Sequence, residues 1–209
     1  MVNRAMVTTP SKSITLKEFL ALPETKPASE YIDGKIIQKP MPKGKHSTIQ
    51  GELVTAINSA LKPQKTARAS CSIASTRGTR ATAFRAFPEL RCTFGGRSTV
   101  PDVTVFAWNR IPRDENGEIA DMFQAAPDWT IEILSPDQSH NRVLKNILHC
   151  LDHGTQLGWL IDPQEQLVLV YFPGRQPAFF EAETDVIPVP DFAKAFELTL
   201  KELFGWLME

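Results

Sequence analysis

The chain has 209 residues, 42% of them hydrophobic, and a net charge of −1, enough to bury a sizeable core and too balanced for net charge to name a partner. Its three cysteines, Cys71, Cys92 and Cys150, are odd in number and far apart, which excludes a disulfide framework or zinc knuckle and fits a reducing cytoplasm. No apolar run approaches the ~20 residues of a membrane span and the N-terminus lacks the apolar core of a signal peptide, so a soluble, unexported chain with no membrane partner is expected.

Residues 1–13 read as a frayed leader ahead of one domain over 14–209. Thr15 is set to cap a short helix that stops at Pro23. Tyr31-Ile32-Asp33-Gly34-Lys35-Ile36-Ile37 is a pair of β-prone runs around Asp-Gly, a strong hairpin signal. A helix is predicted over 46–61, where Ile49, Leu53, Ile57 and Leu61 recur every fourth residue and Pro63 ends the pattern. From Lys62 to Arg97 eight basic residues face one acid, Glu89. A polyanion could bind there, with Arg77, Arg80, Arg85 and Arg97 as candidate phosphate contacts; a solvated arginine-rich loop is the other reading. Within that segment strands are predicted over 70–74 and 88–94, separated by a Thr/Arg/Ala-rich loop.

Next come a strand over 100–107, a polar insertion over 110–124 around Asn116-Gly117, and a strand over 128–134. The caps in Ser135-Pro136-Asp137-Gln138-Ser139 introduce a helix over 140–153, with Leu144, Ile147, Leu148 and Leu151 as its apolar side and Gly154 as its stop. Strands over 157–161 and 167–172 flank Asp162-Pro163, and 178–181 is a third candidate. A strand, crossover helix and strand make a βαβ unit, while hairpins imply antiparallel edges, so the expected fold is α/β, a mixed central sheet with flanking helices. Trp129, Trp159, Tyr171 and Phe172 lie in strand patterns and are expected in the core. The tail from Glu181 is acidic, with seven acids against two lysines.

Chemistry enters with two carboxylates in apolar, β-prone runs, Asp102 in Val100-Pro101-Asp102-Val103 and Glu132 in Thr130-Ile131-Glu132-Ile133. A buried carboxylate is costly without a partner. If the two strands are neighbours, Asp102 and Glu132 converge at one end of the sheet, a pair of hard oxygen donors suited to Mg2+ or Mn2+ with a substrate phosphate filling the remaining positions. Phosphodiester hydrolysis is the natural reaction, and a nearby lysine would complete the set. Along the 140–153 helix, Gln138, Asn141, Lys145 and His149 fall on one polar flank able to reach back to the strand ends. Lys145 is the candidate lysine; a solvated helix lysine is its other reading.

Taken together, Glu30-Tyr31-Ile32-Asp33-Gly34-Lys35-Ile36-Ile37, Met41-Pro42, His46, Val100-Pro101-Asp102-Val103, Glu132-Ile133-Leu134-Ser135-Pro136, Gly154 and Gly158-Trp159-Leu160-Ile161-Asp162-Pro163 resemble, in order and spacing, the Uma-two branch of the PD-(D/E)XK restriction-endonuclease-like superfamily. The resemblance spans residues 15–175 and implies a mixed central sheet, a magnesium-dependent nuclease acting on DNA, and a homodimer. It also implies further site residues, His46 at a helix start and Glu52 as a helix ligand, whose other readings are a helix-entry residue and an exposed helix glutamate; Glu30, at the head of its strand, is a further candidate ligand or an ordinary edge carboxylate. The superfamily lysine two residues after the glutamate is Leu134 here, and the helix position that relatives use instead is Asn146. A rival reading therefore keeps the fold without catalysis, as a DNA-binding or assembly module.

Overall fold

Thr15 opens the first element: its hydroxyl accepts the Glu18 N–H while the Glu18 carboxylate accepts the Thr15 N–H, a reciprocal cap that starts α1 (Leu16–Leu20). The computed structural model describes residues 14–61, 84–136 and 138–208; the predicted strand over 70–74 and the candidates Arg77 and Arg80 lie outside them. Asp33 and Gly34 have φ of 49° and 82°, the left-handed pair that a two-residue turn of type I′ requires. They join β1 (Ser29–Ile32) to β2 (Lys35–Gln38) in a register running from Ile32 opposite Lys35 to Ser29 opposite Gln38. The Lys39 N–H donates to the Ala28 carbonyl and carries the pairing one step further. Paired residues, and residues two apart, share a face of an antiparallel ladder, so Glu30, Ile37 and Lys39 project to one side.

Two sheets follow. β1 and β2 combine with β4 (Cys92–Phe94) and β5 (Arg97–Thr99) in the order β2-β1-β5-β4. The larger sheet comprises β3 (Phe84–Pro88), β6 (Val103–Ala107), β7 (Trp129–Ile133), β8 (Leu157–Asp162), β9 (Leu167–Tyr171) and β10 (Ala178–Phe180), in the order β10-β9-β8-β7-β6-β3. Among the described strands only β7 and β8 pair in parallel, and α3 (His140–Asp152) is their crossover, so the mixed sheet and the βαβ unit are as expected.

The sheet buries both faces. On one, Ile49, Leu53 and Ile57 of α2 (Gly44–Leu61) meet Val103, Val105, Trp129, Ile131 and Trp159. On the other, Val143 and Ile147 of α3 meet Leu134, Leu160 and Tyr171. Trp129 and Trp159 are fully buried and cross edge to face at 4.7 Å. Gly158 lies under α3, and a β-carbon there would collide with Ile147 Cγ2. Gly158→Ala is expected to destabilise the protein by about 1–3 kcal/mol, as overpacking does; a urea midpoint equal to that of the parent chain would refute the tight approach.

Four expectations change. The loop ahead of 88–94 contains β3, whose Phe84 and Ala86 are buried against α2, and 88–94 itself divides between β3 and β4. Of the predicted apolar side of α3, Leu144, Ile147 and Leu151 pack inward but Leu148 is exposed, and Val143, Asn146, His149 and Cys150 are buried as well; the polar Asn146 and His149 hide the full width of that stripe from a reading based on apolar spacing. The 110–124 insertion is anchored by Ile111 and Phe123, which pack with Phe106 and Cys92. Finally, the acidic tail closes the core: Thr199 and Glu202 form a second reciprocal cap on α4 (Leu200–Gly205), and Leu200, Leu203 and Phe204 are buried beside Ile187 and Phe196.

Candidate active site

The antiparallel register of β6 and β7 pairs Val103 with Ile131, and one step further sets Asp102 opposite Glu132 on the same face. Asp102 and Glu132 are 1% exposed. Asp102 Oδ2 accepts the Ile133 N–H at 2.7 Å and lies 3.1 Å from His46 Nε2. The lysine between the carboxylates is Lys39. Its Nζ is 2.6 Å from Asp102 Oδ1, 3.6 Å from Glu132 Oε2, and donates to the Val100 carbonyl at 2.7 Å.

Chain order hides this lysine. It follows β2 in the extended sequence Gln38-Lys39-Pro40, with no periodicity to mark it. The one local signal is hairpin parity, which sends Lys39 to the same side as Glu30. A one-residue slip at Asp33-Gly34 would put Lys39 on the face opposite Glu30 and away from Asp102.

Around this core, Gln50 of α2 donates to the Asp102 carbonyl at 2.8 Å. Glu30 is buried; its Oε1 accepts the Val100 N–H at 2.9 Å, and Asn146 Nδ2 donates to both Glu30 oxygens at 3.2 Å. The electrostatics follow from burial against charge. Desolvation opposes ionisation of Asp102, but the Lys39 ammonium and the His46 hydrogen bond outweigh it and hold the carboxyl well below the usual range. Burial pushes Glu132 the other way, with Asp102 and Glu30 adding to the rise and Lys39 offsetting only part of it. Burial disfavours the Lys39 ammonium, yet Asp102, Glu132 and Glu30 together keep it charged, with its pKa raised.

The donor set fits a hard divalent cation. Glu132 Oε1 is buried with no hydrogen-bond partner, beside a second carboxylate held on the same ammonium. Among the described residues no group of three His, Cys, Asp or Glu side chains is arranged for a metal. Two carboxylates agree with the way magnesium is held, with waters and substrate phosphates filling the remaining positions.

Other predicted site residues fall at varying distances from this centre. Lys145 is exposed and lines a shallow surface with Asp33, Lys35 and Arg142. Successive helix residues point ~100° apart, so with Asn146 turned onto Glu30 its neighbour Lys145 faces outward, and Lys39 takes the place expected for Lys145. Glu52 is exposed on α2; the buried line Ile49, Leu53, Ile57 turns it away from the sheet. Gln138 lines a cavity of about 260 Å³ together with Lys39, His46, Asp102 and Ser135, and its Oε1 accepts the Ser135 N–H. Arg97 forms a bidentate pair with Asp33, and Arg85 lies over the Phe87 ring at 5.1 Å, so both expected phosphate contacts already have protein partners. Lys45 and His140 line a second cleft of about 390 Å³ that shares His46 and Ser135 with the first.

The chain is similar to known proteins. Residues 16–201 match the Uma2 family model, described as "Putative restriction endonuclease". A crystal structure of a "putative nuclease belonging to DUF820" from Anabaena variabilis is similar at 61% identity and TM-score 0.83, covering 93% of this chain and 99% of that one. No curated protein matches. Among the described residues no helix is long and apolar enough to cross a membrane.

Proposed function

Because this chain belongs to the Uma2 family, with a structure titled "putative nuclease" as neighbour, we propose that it hydrolyses phosphodiester bonds of DNA with Mg2+ or Mn2+ held by Asp102 and Glu132 and with Lys39 as the catalytic lysine. The observation that carries the reading is the Lys39 ammonium between two buried carboxylates, one of which keeps an oxygen without a partner.

The cation supplies Lewis acidity to the phosphoryl oxygen and makes water a better nucleophile. The chain's own groups do the rest. Asp102 is aimed by the Ile133 N–H and by His46, so its oxygens need little reorganisation. Lys39, kept charged by its neighbours, offers a hydrogen-bond donor where negative charge develops on phosphate or orients the attacking water. Water adds to phosphorus as the ester P–O bond breaks, leaving a phosphate monoester and a free hydroxyl. Lys45 in the adjoining cleft suits a flanking phosphate, a contact that adds affinity without sequence information. The reading includes a homodimer working in the cytoplasm, as the family resemblance and the unpaired cysteines imply.

Lys39 supports catalysis over the rival reading of an inactive fold, since it supplies the charge that Leu134 and Asn146 do not. The test is calorimetric titration with magnesium or manganese followed by incubation with supercoiled plasmid. Cation binding and nicking should both disappear in Asp102→Ala, by about 10²-fold or more in rate. Metal-independent DNA binding without nicking would instead support a binding module, and nicking that persists in Asp102→Ala would sink the proposal.

A further inference from the structure

We propose that Glu30 and Asn146 form a positioning pair that fixes the segment carrying Asp102, and that Glu30 is not a cation ligand. The inference rests on the nuclease reading of the same site. Glu30 Oε1 accepts the Val100 N–H at 2.9 Å, and the Val100 carbonyl accepts Lys39 Nζ at 2.7 Å. Val100 is thereby held at both its backbone polar groups, two residues before Asp102. Asn146 supports Glu30 from the opposite side, donating Nδ2 to both carboxylate oxygens at 3.2 Å.

The amide orientation follows from this contact. Turned over, Asn146 would set its carbonyl oxygen against the carboxylate, so Nδ2 faces Glu30 and Oδ1 is left buried without a partner. A neutral donor at 146 holds Glu30 without adding a second ammonium, which leaves the negative charge of the cluster for Lys39 and a divalent cation. Glu30 faces uncharged donors, the Val100 N–H and the Asn146 amide, whereas Asp102 and Glu132 share the Lys39 ammonium and Glu132 keeps Oε1 without a partner. The two glutamates thus divide the work: Glu30 orders backbone, and Glu132 is open to a ligand.

Glu30→Gln separates positioning from ligation. The glutamine oxygen still accepts from Val100, and its NH2 donates to Asn146 Oδ1 once that amide turns over. Hydrogen exchange of the Val100 amide in the cation-free protein and magnesium affinity by calorimetry should then each stay within about threefold of the parent chain. Asn146→Asp, by contrast, sets a carboxylate against Glu30 and loosens Val100. Its Val100 amide should exchange at least ~10-fold faster, and kcat for plasmid nicking should fall about 10-fold with KM little changed. A Glu30→Gln protein with Val100 exchange intact but magnesium affinity reduced ~10-fold or more would make Glu30 a ligand and overturn the proposal; unchanged Val100 exchange in Asn146→Asp would overturn it too. Should Asn146→Asp fail to fold, Glu30→Gln decides. If the parent chain neither binds magnesium nor nicks plasmid, the nuclease reading falls, and Val100 exchange still judges the positioning pair.

Discussion

Replacing Lys39 with methionine should reduce plasmid nicking by about 10²-fold or more, the cost typical of losing a donor aimed at developing charge. The same change should destabilise the cation-free protein by about 3–5 kcal/mol, because removing one partner leaves buried carboxylates without compensation. Lys39 is the ammonium that meets both Asp102 and Glu132, and methionine keeps most of its length and apolar stem. Excess magnesium should therefore restore more stability to Lys39→Met than it adds to the parent chain, since a divalent ion neutralises the charge the lysine left behind. Urea unfolding with chelator and with magnesium, alongside nicking assays, measures all three. Equal stability and equal nicking in Lys39→Met would reduce Lys39 to an incidental ion pair and remove the catalytic lysine from the proposal.

Glu132→Gln should do the reverse to stability while still abolishing function. Burial, reinforced by Asp102 and Glu30, raises the folded-state pKa of Glu132 above its ordinary 4.5. The folded protein then binds a proton that the unfolded chain has released, and stability contributed by this residue falls as pH climbs from 4.5 towards the raised value. Glutamine, uncharged and of the same shape, escapes that loss. Cation-free Glu132→Gln should melt higher than the parent chain at about pH 8, with the gap closing near about pH 4, where the carboxyl is largely protonated in both folded and unfolded states. Asp102 acts in the opposite sense: its folded pKa is lowered, so its contribution is present above the ordinary carboxylate range and is lost as pH falls through the folded value. Nicking by Glu132→Gln should drop by about 10²-fold or more, through loss of one of two cation ligands. Melting curves at several pH values decide the matter, and a variant less stable than its parent at about pH 8 would mean that Glu132 is well compensated in the fold.

Much of the candidate site is legible in the sequence. Asp102 and Glu132 stand out because charge in an apolar β-run requires an explanation, and the β6–β7 register brings them opposite one another. His46 is visible at its helix start and meets Asp102. The lysine is not legible, for a physical reason: a side chain 63 residues from its carboxylate partner in sequence leaves no trace in spacing, whereas Lys145, on the helix that follows Glu132, offers a plausible reach. Asn146 misleads twice, once as an apparent loss of charge and once as a gap in the apolar stripe of α3, although it is buried because it serves Glu30. Arg85 and Arg97 are legible only as charge; a charge count does not reveal that Phe87 and Asp33 lie against them.

What the amino-acid order determined by itself was everything governed by local rules: the capped α1, the Asp33-Gly34 turn, the four-residue rhythm of α2, the strand–helix–strand order that makes β7 and β8 parallel, and the two costly carboxylates. These depend on backbone sterics, periodicity and desolvation, which act within a few residues. Only the tertiary structure decided which cation meets those carboxylates, which face α3 buries, and that the acidic tail completes the core. Each of these depends on surfaces brought together from distant parts of the chain, where packing and charge compensation choose among side chains that look alike in one dimension.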